Sequence, residues 1–263
     1  MSLFTGTSGY YRQYRPGIPD DLARRLARYA PDHAPRRLLD VGTGTGLVAE
    51  ALMPHFDDII ACDNDPDMIA TAEAALRPNI PEGSTLTLVT STAEDFRPPA
   101  GWKADLVTIC RAFHWLDQPA VLALLDSQVA KNGAVAVFSD RSFWAAESDW
   151  KAAVKQVIRD FLGEERRAGG GTFQHHNRPY SEIMEESPFN QVEEFTIPVT
   201  RQWNTAGILG YLYSTSFAAS GLFGDRLGEF ETAVQKTLRD FSDDDTFHET
   251  NEFLVRVGRR STA

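Results

Sequence analysis

Along the first 140 residues, short apolar runs alternate with stretches whose apolar positions recur every three to four residues. The runs fall at 38–41, 58–62, 86–89, 105–109 and 134–138. They are too short for helices and nearly continuous in hydrophobicity, the pattern of strands buried in a parallel sheet. Between them the helical period returns. Leu22, Leu26 and Tyr29 share one face before the first run, and 47–53 reads as a helix after it. Asp65 is a good N-cap, Pro66 fits a first turn, and Met68, Ile69, Ala72 and Leu76 form the apolar face behind them. A further helix is expected over 117–130. Alternation of this kind predicts an α/β layer fold.

Beyond Ser139 the rhythm changes. Residues 141–180 start helical, through Trp150, Val154, Val157, Ile158 and Phe161, then meet a glycine run at 169–171. Residues 192–199 read as a strand, 204–217 and 222–241 as aromatic-rich helices, and 247–257 as a closing strand. Trp203, Tyr211, Tyr213, Phe217 and Phe223 suit either a lid over an apolar ligand or an ordinary core. There is no internal repeat.

The first strand runs into Leu38-Leu-Asp-Val-Gly-Thr-Gly-Thr-Gly46. Gly42, Gly44 and Gly46 permit backbone angles that side chains forbid, and the helix that follows turns free N–H groups toward a ligand. A dinucleotide fingerprint, G-x-G-x-x-G, would require glycine at Leu47. Here the third glycine comes one residue early, and Asp40 stands two before the first, which disfavours a nicotinamide oxidoreductase. The second strand ends at Asp63, whose two oxygens can accept from a ribose diol.

D-V-G-T-G-T-G followed by C-D-N-D-P-D-M resembles motif I and the acid after the second strand of class I S-adenosylmethionine-dependent methyltransferases. Tyr10-Tyr-Arg-Gln-Tyr-Arg-Pro-Gly-Ile-Pro19 resembles the Y-x-x-Y-R-P-x-Y-P segment of the trans-aconitate methyltransferase-like branch. Arg111-Ala-Phe-His-Trp-Leu-Asp117 is similar to that branch's A-x-H-W-F-D element. The likeness spans roughly residues 10 to 140 and, weakly, 190 to 263. It implies a Rossmann-like, seven-stranded, mainly parallel sheet with an antiparallel last strand, plus helical lid insertions. The implied division is a cofactor-binding core of 36–140, 191–202 and 244–263, with 1–35, 141–190 and 203–243 as N-terminal cover and helical lid.

The resemblance also implies S-adenosyl-L-methionine as cofactor. Asp40, Gly42, Gly44, Gly46, Asp63, Asn64, Met68 and Arg111 are the expected contacts, with Thr92, Ala93 and Glu94 beside the adenine. Thr92 stands where the family's G-D-A-E pattern has an acid. Tyr14 and Arg15 would cover the cofactor, a ring face near the sulfonium gaining up to about 2 kcal/mol. Gly17-Ile18 replaces the family's x-Tyr, removing one aromatic.

His114 is the candidate base, required if the acceptor is a hydroxyl, phenol or ammonium-forming amine. For a carboxylate acceptor, a guanidinium from Arg111, Arg141, Arg178 or Arg201 would matter more. The expected substrate is a small molecule. A macromolecular acceptor is the alternative, disfavoured because no N/D-P-P-Y/F element follows the fourth strand. The formal charge of −11 provides no basic field for nucleic acid. No apolar run reaches membrane-spanning length and the N-terminus shows no signal-peptide core, so no membrane partner and a cytoplasmic location are expected. His175-His176 lack a nearby third ligand, and no metal is expected. Cys62 and Cys110, on strands flanking the first, should lie about 9–10 Å apart, too far for a disulfide.

Overall fold

Apolar, β-branched runs do form the centre of a parallel sheet. The computed structural model describes residues 6–145, 148–164, 167–168, 171–172 and 178–261. Its main strands are β1 Arg37–Val41, β2 Asp58–Asp63, β3 Thr85–Thr90, β4 Ala104–Cys110, β5 Val129–Asp140, β6 Gln191–Trp203 and β7 Phe247–Arg259. They are ordered β3-β2-β1-β4-β5-β7-β6. β1 pairs in parallel with β2 and β4, β2 with β3, and β4 with β5. The closing strand runs antiparallel, as expected. Two-residue strands Arg167–Ala168 and Gly171–Thr172 pair separately. The helices are α1 Ser8–Tyr14, α2 Asp20–Ala27, α3 Leu47–Leu52, α4 Pro66–Leu76, α5 Gln118–Asp126, α6 Asp149–Leu162, α7 Tyr180–Glu185, α8 Thr205–Tyr213 and α9 Leu227–Arg239.

The chain divides into two compact units. The first is Pro16–Ser139, His176–Ile197 and Phe253–Ala263, the second Met1–Arg15, Asp140–His175 and Pro198–Glu252. Residues 16–35 and 178–190 fall in the first unit, and 198–202 and 244–252 in the second.

In the sheet unit, Leu39, Val41, Ile60, Val107, Ile109, Val135 and Val137 share a core with Val121, Leu122 and Leu125 of α5 and Ile183 and Met184 of α7. β2 and β4 flank β1, and neither cysteine is in a disulfide. In the helical unit, Trp150, Val154 and Ile158 of α6 meet Ile208 and Leu212 of α8 and Phe230, Val234 and Leu238 of α9. Tyr213, Phe217 and Phe223 are buried there, so these aromatics are core. Lys151 and Glu249 form a buried ion pair, and the Trp203 indole N–H donates to the same carboxylate at 2.7 Å. Burial holds the Lys151 ammonium below its ordinary range.

Several element ends differ from expectation. α5 stops at Asp126, not near 130, because the Gln128 carbonyl accepts from Ala104 N–H at 2.9 Å and Val129 pairs with Ala104, joining the sheet. α8 stops at Tyr213: the Ser214 and Thr215 hydroxyls donate to the Tyr211 and Leu212 carbonyls and cap the last turn. α9 begins at Leu227 rather than 222, after two short 3₁₀ turns and Gly224 at φ +53°. Tyr29 lies past the end of α2, stacked on Phe195. Residues 175 and 176, the histidine pair, lie outside the described residues. Among the described residues no group of three or more His, Cys, Asp or Glu is placed to hold a metal. Among the same residues, no helix is long and apolar enough to cross a membrane.

Candidate functional site

The strand order reverses between β1 and β4, and in open parallel sheets ligands bind beyond the carboxyl ends at such a switch point. The glycine turn leaves β1 there. Gly42, Gly44 and Gly46 adopt φ of +67°, +56° and +83°. A Cβ on Gly42 would meet the Ala112 Cβ at 2.5 Å, so this glycine lets the turn approach the segment after β4. Gly42 and Thr43 N–H both donate to the Cys62 carbonyl, at 2.9 and 3.0 Å, fixing the turn against β2. On the other side Gly46 meets Leu76 and Ala72 of α4.

Asp63 closes β2 beside this turn. Its Oδ2 accepts from Gly44 N–H at 2.8 Å, and its Oδ1 from Asp65 N–H at 2.9 Å. Each oxygen keeps lone-pair capacity for a further donor. Burial raises its pKa, while the Asp65 and Gly44 N–H groups pull it back down. Asn64 is exposed, and Met68 is buried on α4. The N-cap at Asp65 and the first-turn Pro66 are as expected, Asp65 accepting from Asp67 N–H.

Asp40 is sealed at 1 % exposure. Its Oδ2 accepts from the Thr43 hydroxyl at 2.6 Å and its Oδ1 from the Thr108 hydroxyl at 2.7 Å. Desolvation pushes its pKa up to about 6 against the help of those two hydroxyls. The carboxylate therefore braces the turn from below. Sequence reasoning missed both threonines, although Thr108 faces Asp40 in the parallel register, a relation any β1–β4 pairing would produce.

After β3, the Thr92 hydroxyl donates to Asp95 Oδ2 at 2.8 Å and accepts from Asp95 N–H at 3.1 Å. Glu94 accepts from Asp117 N–H at 3.0 Å. After β4, Arg111 takes φ +55°, uncommon for a side-chain-bearing residue. Its guanidinium donates to the Pro16 carbonyl at 3.0 Å and lies over the Phe253 ring. His114 follows in a 3₁₀ turn, its ring 4.6 Å from that of Trp115, which is 41 % exposed.

Tyr14 and Arg15 belong to the helical unit. The Tyr14 ring fills the notch at Gly210 of α8, and Arg15 donates to the Ser214 hydroxyl at 2.8 Å and Tyr211 hydroxyl at 3.2 Å. Arg141, Arg178 and Arg201, the other guanidiniums considered for a carboxylate, pair with Glu252, Glu186 and Asp140.

S-adenosylmethionine suits these residues: a glycine turn at the switch point of the sheet, and beside it the Asp63 carboxylate, whose oxygens keep acceptor capacity. Residues 38–133 match the family described as Methyltransferase domain. An uncharacterized methyltransferase of Mycobacterium tuberculosis is 34 % identical over 118 residues, 44 % of each chain. Methyltransferase tpcM of Aspergillus fumigatus is 27 % identical over 173 residues, 61 % of this chain and 52 % of that protein. The alignments thus span about half the length of these relatives. Among solved structures, a candidate type II methyltransferase from Anaeromyxobacter dehalogenans aligns over 94 % of this chain and 98 % of its own, with a TM-score of 0.61 at 21 % identity. That likeness speaks to the fold. The sheet order is that of a Rossmann-like fold, and the match to the methyltransferase domain covers residues 38–133, which carry the glycine turn and Asp63.

Proposed function

We propose that the protein transfers a methyl group from S-adenosylmethionine to a small-molecule acceptor, at a hydroxyl or carboxylate oxygen or an amine nitrogen. The observation that carries this reading is the Asp63 carboxylate, tied to Gly44 N–H at 2.8 Å and free to accept from a ribose diol. In this reading Asp63 grips the sugar, the glycine turn lies against the amino-acid portion, and Thr92, Ala93 and Glu94 line the adenine side.

The cofactor supplies an electrophilic methyl on a sulfonium, whose leaving group departs neutral and needs no acid. The chain's own contribution is then to hold the nucleophile in line and exclude water. His114, half-buried just beyond β4, would take a proton at an imidazole nitrogen from a hydroxyl or ammonium acceptor. The formal charge of −11 and the pairing of Arg141, Arg178 and Arg201 with acids support a neutral or cationic acceptor over a polyanion. The resemblance of 10–19 and 111–117 to the trans-aconitate methyltransferase-like branch belongs to this proposal as well.

Calorimetry tests the cofactor: S-adenosylhomocysteine should bind at micromolar affinity, and NAD or NADP should not. Binding of NADPH in its place would overturn the reading. A screen of acids, phenols and amines with labelled cofactor then identifies the acceptor class.

A further inference from the structure

Helix α5 is N-capped by Asp117, whose Oδ1 accepts from Ala120 N–H at 3.2 Å. In a capping box, a Glu or Gln at that third position reaches back to the N-cap's own N–H. Here the third position is alanine, which cannot. The Asp117 N–H is taken instead by Glu94 Oε1, at 3.0 Å, from a different part of the chain. The capping box is completed across two loops.

Both loops are firm on their own account. The turn after β3 is closed by the reciprocal Thr92–Asp95 bonds, by Phe96 N–H on the Thr92 carbonyl, and by the buried Phe96. The turn after β4 is anchored upstream by Arg111 N–H on the Phe138 carbonyl and centrally by Phe113, whose carbonyl accepts from the buried Gln118 amide at 3.0 Å. Between Phe113 and Asp117 lie His114 and Trp115. Glu94 supplies a side-chain contact at the downstream end of that segment.

We infer that Glu94 is a positioning residue: its carboxylate joins the turn after β3 to the His114–Trp115 turn, so that the two respond as one piece. This rests on the proposed reading only for why the placement of His114 matters to the reaction. A ligand that orders Thr92–Glu94 thereby orders the candidate base as well. Glutamine at position 94 keeps an acceptor oxygen within the same reach, and alanine removes it.

The experiment follows Trp115 emission, obtained by difference against Trp115→Phe, on addition of S-adenosylhomocysteine, together with hydrogen exchange at the Asp117 amide. Wild type and Glu94→Gln should show the same emission change. Glu94→Ala should lose most of it and exchange the Asp117 amide faster. An unchanged emission response and unchanged exchange in Glu94→Ala would overturn the inference. So would an equal loss of the emission change in Glu94→Gln and Glu94→Ala, which would mean that the acceptor oxygen at position 94 does not make the tie. If wild type binds no S-adenosylhomocysteine, the cofactor reading fails, and exchange at the Asp117 amide still decides the tie.

Discussion

Gly42 and Ala112 approach so closely that a Cβ on the glycine would fall 2.5 Å from the alanine Cβ. Gly46 is crowded too, with the Leu76 Cδ1 at 2.6 Å, but that atom ends a flexible side chain. Both glycines have positive φ, so alanine at either costs about 1–2 kcal/mol in backbone strain. At Gly42 overpacking adds about 1–3 kcal/mol, because the Ala112 Cβ moves only with its backbone. Denaturant unfolding should rank Gly42→Ala below Gly46→Ala in stability. Equal losses would show that the end of β4 yields easily.

Asp63→Ala should weaken S-adenosylhomocysteine binding by about 1.5–3 kcal/mol, the value of charge-assisted bonds to a carboxylate. Asp63→Asn, retaining one acceptor oxygen, should lie between. The raised pKa of Asp63 has a further consequence: affinity should begin to fall with pH above the range where an ordinary aspartate titrates. Calorimetry in a pH series measures both, and an affinity indifferent to the substitution would mean that the carboxylate does not reach the ligand.

Asp40 offers a test of linkage. Its pKa in the folded chain is about 6, above the roughly 3.9 of an unfolded aspartate. A raised carboxyl favours the folded state fully below the unfolded value, and that contribution is lost as pH rises through the folded one. From about pH 4 to 7 wild type should therefore lose about 2 kcal/mol that Asp40→Asn, uncharged throughout, does not lose. The measurement is unfolding free energy at both pH values for both proteins. Parallel behaviour of the two would indicate that Asp40 titrates normally.

Lys151→Met leaves the Glu249 carboxylate buried with the Trp203 indole and Asn251 amide as close donors and Arg201 at 3.8 Å. Stability should fall by about 3–5 kcal/mol. Adding Glu249→Gln removes the stranded charge and should restore a large part of the loss. A double-mutant cycle by thermal unfolding reads the coupling directly, and strictly additive losses would argue against it.

The sheet was legible because each of its first five strands is a short, mostly apolar run, and the first two end in turns that carry glycine or aspartate. The positions of Gly42, Gly44, Gly46 and Asp63 followed from spacing alone. Helix ends were less legible: Gln128 and Val129 leave α5 for a pairing with β4 that no local pattern announces. The Lys151–Glu249 pair joins residues 98 apart, and charge at those positions reads as surface until the fold buries it. Glu94 stands after β3, where the resemblance implies an adenine contact. Its bond to Asp117 N–H depends on two loops 23 residues apart coming side by side.

Tyr14 in the notch of Gly210 carries a consequence for synthesis. Arg15 and its partner Ser214 are separated by 199 positions. At ribosomal speeds of about 5–20 residues per second, α1 waits roughly 10–40 s before its docking surface on α8 exists. During that interval Tyr10 and Tyr14 lack their native neighbours on α8. The nascent chain therefore assembles out of order, its earliest helix among the last pieces to lock.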